Sequence, residues 1–333
     1  MQDTLSAAFF EFRKQVRESV LYKRTYGYYA AYLTLVLIGI ALSVLVLVST
    51  TNFFVQMANA VFLSFVLVQG GMFGHDLAHQ QVFVSKKKNL FFSSLAWGLF
   101  GGLSAHKWFE KHNAHHKYTN QVGRDPDLDI PFIFSEHQIP AKQMPLMRFL
   151  QRHQHIIFFL LLPFVYMNMV VQTYLHIFKR FSVRTVAELG LIVAHFVVLM
   201  LAIFLSLPVV TSICFLVVHF MCVGVYMSLV FAPNHKGRPI LAEGETGGWL
   251  DQIRTTRNIY ASKLVFHIFG GLNFQIEHHL FSDMARPQYF KVQKLVREFC
   301  ARHNISYHET SWLGSLREIY QSLKRNSGLS VSA

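Results

Sequence analysis

Charge is scarce in this 333-residue chain: Asp, Glu, Lys and Arg make up 15% of it, against 52% hydrophobic residues. So low a polarity excludes an ordinary soluble protein of this length and points to an integral membrane protein. Cysteine is rarer still. Cys214 and Cys222 lie in an apolar stretch and Cys300 in the tail, which excludes a disulfide framework and fits a reducing compartment. The sequence has no HExxH segment, HPGG-type haem segment, flavin fingerprint or four-cysteine iron–sulfur spacing, so a zinc-protease centre and a fused redox cofactor are not expected. A cleavable signal peptide is not expected, because the basic, polar N-terminus runs to Arg24 before any long apolar stretch, and the first span is expected to stay as an anchor. No repeat, low-complexity run or linker interrupts the chain, which reads as one domain over residues 1–333.

What is abundant is apolar length. Residues 28–48, 53–74, 189–207 and 209–232 form uncharged apolar runs, each near the roughly 20 residues that cross a hydrocarbon core. The expected fold is therefore an all-α integral membrane protein with four transmembrane helices in two hairpins. Residues 75–188 and 233–333 form a cytoplasmic helical cap with interfacial segments. Arg13, Lys14, Arg17, Lys23 and Arg24 precede the first span, whereas the turn at residues 49–52 is uncharged, which places both termini in the cytoplasm. The net charge of +13 gathers beside apolar segments, so nucleic acid is not an expected partner. The apolar stretch at 156–175 is also long enough to cross, but parity argues otherwise: if it crossed alone, the histidine clusters described next would fall on opposite sides of the bilayer. Arg148, Arg152, Lys179, Arg180 and Arg184 flank it, and we expect it at the interface. In the tail, Tyr289, Phe290, Val292, Leu295 and Val296 recur at helical spacing.

Three clusters carry the chemistry: His75 and His79 in HDLAH, His112, His115 and His116 in HNAHH, and Gln275, His278 and His279 in QIEHH. On helices, i, i+3 and i+4 spacing puts each set on one face. Seven imidazoles exceed the ligand set of one tetrahedral zinc, and nitrogen-rich ligation suits iron, copper, nickel or zinc, so two metals are expected. His106, His137, His153, His155, His176, His303 and His308 are read as ordinary polar histidines. His195 and His219, inside spans, need only a hydrogen bond to a neighbouring helix.

GHDLAH, KHNAHH and GGLNFQIEHHLF, separated by apolar hairpins, resemble the three histidine boxes of membrane fatty acyl desaturases. Gln275 at the head of the third box resembles the front-end branch and some bacterial acyl-lipid enzymes. The resemblance implies a non-haem di-iron centre that uses O2 to insert a cis double bond into an acyl chain, with zinc able to take the place of iron in purified protein. It implies His75, His79, His112, His115, His116, His278 and His279 as ligands, and His235 in APNHKG as an additional one. An amide is a poor iron ligand, so Gln275 is expected to orient a water or an imidazole. Asp76, Asn234 and Glu277, with Asp125 and Asp127 in GRDPDLD, are candidate acceptors for ligand ring N–H groups. The substrate is a fatty acyl lipid or acyl-CoA, and Lys107, Lys111, Lys117, Arg254 and Arg257 are candidates to meet an anionic head group. Electrons are expected from a separate ferredoxin or cytochrome b5; the compact length looks bacterial and implies a plasma-membrane site. An alkane- or carotenoid-type hydroxylase is the competing expectation, and a metal transporter a more distant one, since the clusters lie beyond the span ends.

Overall fold

The computed structural model describes residues 2–130, 133, 144–244 and 248–328; His137 lies outside them. The chain divides into two compact units, one comprising Arg24–Glu110 and Leu162–Leu229, the other Met1–Lys23, Lys111–Leu161 and Val230–Ala333.

The first unit is built from apolar helices. Tyr26–Ser49 and Phe53–Ala78 form a hairpin, whose second arm starts where the Asn52 side chain accepts from the Val55 N–H at 3.1 Å, the usual role of Asn at a helix N-cap. Lys86–Gly101 packs back on Phe53–Ala78 and also meets Val183–Ser206. It stops at Gly102, whose φ of +60° is the left-handed cap that glycine adopts without strain. Leu47, Leu63, Leu67, Leu199, Ile203 and Phe215 make a continuous core, while Leu45, Val48, Leu205 and Val210 stay exposed on the outer faces. Helices apolar on every side are what lipid contact requires. Several polar groups buried among them are paired. Ser43 and Asn59 are 2.7 Å apart, Ser64 Oγ lies 2.9 Å from His219 Nδ1, and His195 Nδ1 donates to the Leu99 carbonyl at 2.8 Å. His195 and His219 therefore have the helix-to-helix bonds expected of them.

Among the described residues, five helical stretches are long and apolar enough to cross a membrane: Val20–Ser49, Phe53–Ala78, Gln154–Lys179, Val183–Ser206 and Val209–His235. Four contain the expected spans. The fifth is the stretch assigned from the sequence to the interface, and a 3-10 turn at Leu162–Phe164 breaks its α-helical pattern around Pro163, which has no N–H to donate.

The second unit is mainly helical, with one departure from the all-α expectation: Asn258–Ile259 and Glu309–Thr310 pair as a short parallel ladder, Asn258 opposite Glu309. Its N-terminal helix, Gln2–Glu18, packs through aromatic rings. Phe9 stacks on Trp249 at 4.0 Å and Phe12 on Phe299 at 4.8 Å. The expected amphipathic helix is Tyr289–Arg302, which buries Tyr289, Val292, Val296 and Phe299 and leaves Leu295 outward. The C-terminal helix Trp312–Ser327 is tied down by Gln151 and Gln154, whose amides donate to the carbonyls of Asn326 and Leu323.

Candidate metal centre

The second histidine box lies on the helix Ala105–Tyr118. The i, i+4 pair His112 and His116 brings its Nε2 atoms to 3.0 Å, and His278 Nε2 lies 3.1 Å from His116 Nε2. His278 and His279 belong to the short helix Gln275–Leu280. His115, His235 and His279 form a further group whose donor atoms all lie within 4.8 Å of one another. Six imidazoles of the second unit thus converge. His235 lies in the last turn of the helix Val209–His235, which continues through Pro233.

The hydrogen bonds behind these rings settle which nitrogens carry lone pairs. His115 Nδ1 lies 3.1 Å from both oxygens of Asp125. The Asp125 carboxylate accepts from the backbone N–H groups of Asn120 and Asp127 as well. A carboxylate only accepts, so Nδ1 carries a proton, and in the neutral ring Nε2 is the nitrogen with the lone pair. For His235 the logic runs through two amides. Asn234 Nδ2 donates to the Val230 carbonyl and to Gln275 Oε1 at 3.0 Å, which turns Gln275 Nε2 toward His235 Nε2 at 2.9 Å. His235 Nε2 is then an acceptor as well. His115 Nε2 and His235 Nε2 lie 3.3 Å apart; with both rings neutral two lone pairs face each other there, an arrangement relieved by a metal ion or by a proton on His115. The donor set fits a metal seat, with Gln275 as a rival partner for His235.

Charge sets the two rings apart, favouring a proton on His115 and a neutral His235. Burial alone would lower the His115 imidazole, but the Asp125 and Asp127 carboxylates outweigh it and raise its pKa. Burial and the neighbouring His115 hold His235 well below the ordinary imidazole range. Asp127 also holds Lys111 at 2.7 Å.

The first box lies in the other unit. His75 is buried in the last turn of Phe53–Ala78, with its Nδ1 3.3 Å from Asp76 Oδ1, and its ring packs edge-on against Trp108 at 5.4 Å and beside His79 at 4.7 Å. His106, Glu110 and His176 form another group in that unit, but the Arg180 guanidinium pairs with Glu110, so a cation already answers that carboxylate.

Several expected neighbours stand elsewhere. Glu277 accepts from Asn258 Nδ2 at 2.7 Å and from the Tyr307 hydroxyl at 2.8 Å, holding the third box from behind, and burial pushes its carboxyl up to about 7. Arg257, a candidate for a lipid head group, is fully buried and bonds the carbonyls of Pro233 and Lys236 and the carboxylate of Glu318. Two residues that touch the boxes carry no local signal in the sequence: Gln252, which meets His279, and Tyr289, whose hydroxyl lies 3.1 Å from His278 Nδ1.

The chain matches the fatty acid desaturase family over residues 52–311 and belongs to that family. It is 29% identical over 305 residues to a Delta(8)-fatty-acid desaturase of Arabidopsis thaliana, covering 86% of this chain and 66% of the relative. It is 30% identical to a Delta(5) fatty acid desaturase of Caenorhabditis elegans, covering 75% and 59%, and to a Delta(8)-fatty-acid desaturase of Euglena gracilis, covering 75% and 62%. The chain thus spans about two thirds or less of the length of these curated relatives.

Proposed function

We propose that this protein is an oxygen-dependent fatty acyl desaturase that inserts a cis double bond into a lipid-linked acyl chain. The observation that carries the proposal is the set of imidazoles of the second and third boxes and His235, converging ring nitrogen to ring nitrogen. Family membership supports it. In this reading two iron ions are held by His75, His79, His112, His115, His116, His235, His278 and His279, and the two units act as one domain. When bound, the iron pair supplies the O2 activation that removes two hydrogens from neighbouring methylenes. The chain's own contribution is orientation: Asp125 keeps the Nδ1 proton on His115, while Asn234 and Gln275 hold His235.

A front-end position, of the delta-6 or delta-5 kind, is our reading of Gln275 at the head of the third box, and the relatives' names, which specify Delta(8) and Delta(5), lean the same way. Four helices cross the membrane and Gln154–Lys179 lies at the cytoplasmic surface, the layout that puts every box on one side. An acyl chain costs about 0.8 kcal/mol per methylene to draw from lipid, so a centre at that surface takes its substrate from the bilayer, whether glycerolipid or acyl-CoA. Exposed Lys117 and Arg254 are available to an anionic head group. The 333 residues encode no haem, flavin or iron–sulfur motif, so electrons enter from ferredoxin or cytochrome b5, supplied by another domain or protein.

Gas chromatography of lipids from an expressing host tests the reaction. New cis alkenes are expected, lost in His115→Ala and His278→Ala while both variants still insert in the membrane. Hydroxylated chains without new alkenes would assign the protein to the hydroxylases instead.

A further inference from the structure

Gln252 stands on the six-residue helix Trp249–Arg254, outside all three boxes, yet it touches two of them. Its Nε2 donates to the backbone carbonyl of His116 at 2.9 Å. Its Oε1 lies 2.6 Å from His279 Nδ1 and 2.9 Å from the Thr119 hydroxyl. The carbonyl of His116 can only accept, so it fixes which end of the amide faces it. The oxygen must then face His279. An amide oxygen accepts and never donates, so His279 Nδ1 must carry its proton, and Nε2 is left as the lone-pair nitrogen. His279 offers one ring nitrogen to a group with His115 and His235 whose donor atoms lie within 4.8 Å of one another, and with Nδ1 engaged by Gln252 the nitrogen available to a metal is Nε2. The His279 ring also stacks on His116 at 4.2 Å with its plane nearly parallel, so one amide sets the proton on the third box and pins the backbone of the second.

We propose that Gln252 is a positioning residue for the metal centre: it selects the Nδ1–H tautomer of His279 and so presents Nε2 as a ligand. The role rests on the reading of His279 as a metal ligand. It is the amide counterpart of the work Asp125 does for His115, a neutral anchor where that one is a carboxylate. A neutral anchor orients the ring without adding negative charge beside the metal.

Two substitutions separate this role from a merely structural tie. Gln252→Leu removes both the acceptor and the donor at nearly constant volume. Gln252→Glu keeps an acceptor for His279 Nδ1 but loses the donor to the His116 carbonyl. A tautomer-setting role predicts that Gln252→Glu binds metal within about threefold of the parent and that Gln252→Leu binds about 10- to 100-fold more weakly, the usual loss when the partner of a ligating histidine is removed. A structural tie predicts the reverse order, because a carboxylate facing the His116 carbonyl is worse than a methyl group. The probe is cobalt(II) added to the metal-free full-length protein in detergent. Binding is read from visible ligand-field absorbance and from competition with a chelator of known affinity, and unfolding is followed in parallel. Leu binding as tightly as the parent, or Glu binding as weakly as Leu, overturns the inference. A parent protein that takes up no cobalt overturns the metal-centre reading beneath it, which is a distinguishable result.

Discussion

Arg257 offers the sharpest test of how the His235 turn is held. Its guanidinium is fully buried, whereas its partner Glu318 is 30% exposed. Its other two bonds go to the carbonyls of Pro233 and Lys236, the helix end that carries Asn234 and His235. Burial pulls the guanidinium down to about 10, so it stays charged at neutral pH. Arg257→Lys keeps the charge but replaces a planar fork with a point donor that satisfies one partner at a time. Two acceptors then lose their bond, and a buried acceptor without a partner costs about 1–3 kcal/mol. Because Glu318 can turn to water, the net loss should be about 2–4 kcal/mol, mostly from the helix end. Thermal unfolding followed by tryptophan fluorescence in detergent should shift down by roughly 3–6 °C. Glu318→Gln, which removes only the half-exposed ionic partner, should cost about 1 kcal/mol or less. If Arg257→Lys melts within a degree of the parent, the capping role is wrong. If Glu318→Gln is equally damaging, the ion pair rather than the helix end carries the stability.

Other consequences follow from single contacts. Burial, and then the Glu277 carboxylate, push the Cys300 thiol up to about 12. A raised folded pKa means that this stability is complete below the ordinary thiol value near 9 and is lost as pH rises through about 12. Iodoacetamide at pH 9 should therefore leave Cys300 unmodified in the folded protein and label it in denaturant, as peptide mass spectrometry would show; rapid labelling without denaturant would contradict the burial. A Cβ on Gly224 would stand 2.2 Å from the Pro163 carbonyl oxygen, a backbone atom that no rotamer change can move. Gly224→Ala should thus cost about 1–3 kcal/mol as overpacking, seen as a lower melting temperature, and an unchanged melt would show that the helices separate freely. Chelator treatment should abolish desaturation, with activity regained on adding ferrous iron; zinc should bind the same imidazoles and restore thermal stability without product. Recovery of activity with zinc would rule out redox chemistry at the site.

The part of this architecture legible in the sequence is the part written locally. Helical spacing alone groups His112 with His116 and His278 with Gln275, and apolar length alone picks out the long helices. The fifth long helix, Gln154–Lys179, shows the limit, because length and composition do not distinguish a crossing helix from an interfacial one. His235 shows another: Pro233 reads as a helix stop, yet the helix runs on to residue 235 because Arg257, distant in sequence, caps its end. Gln252, Tyr289 and Arg257 reach their partners across the tertiary fold, and no spacing in the chain announces them. Glu277 is different, since its true place follows from spacing once the helix is drawn. At about 100° per residue, Gln275, His278 and His279 share one side of Gln275–Leu280, and Glu277 is turned away from them by roughly 100–160°. Membership of a box therefore does not make a residue a partner of its imidazoles. The side that points away meets Asn258 and Tyr307, so the box is gripped on its back by a buried carboxyl while its front is left to the metal.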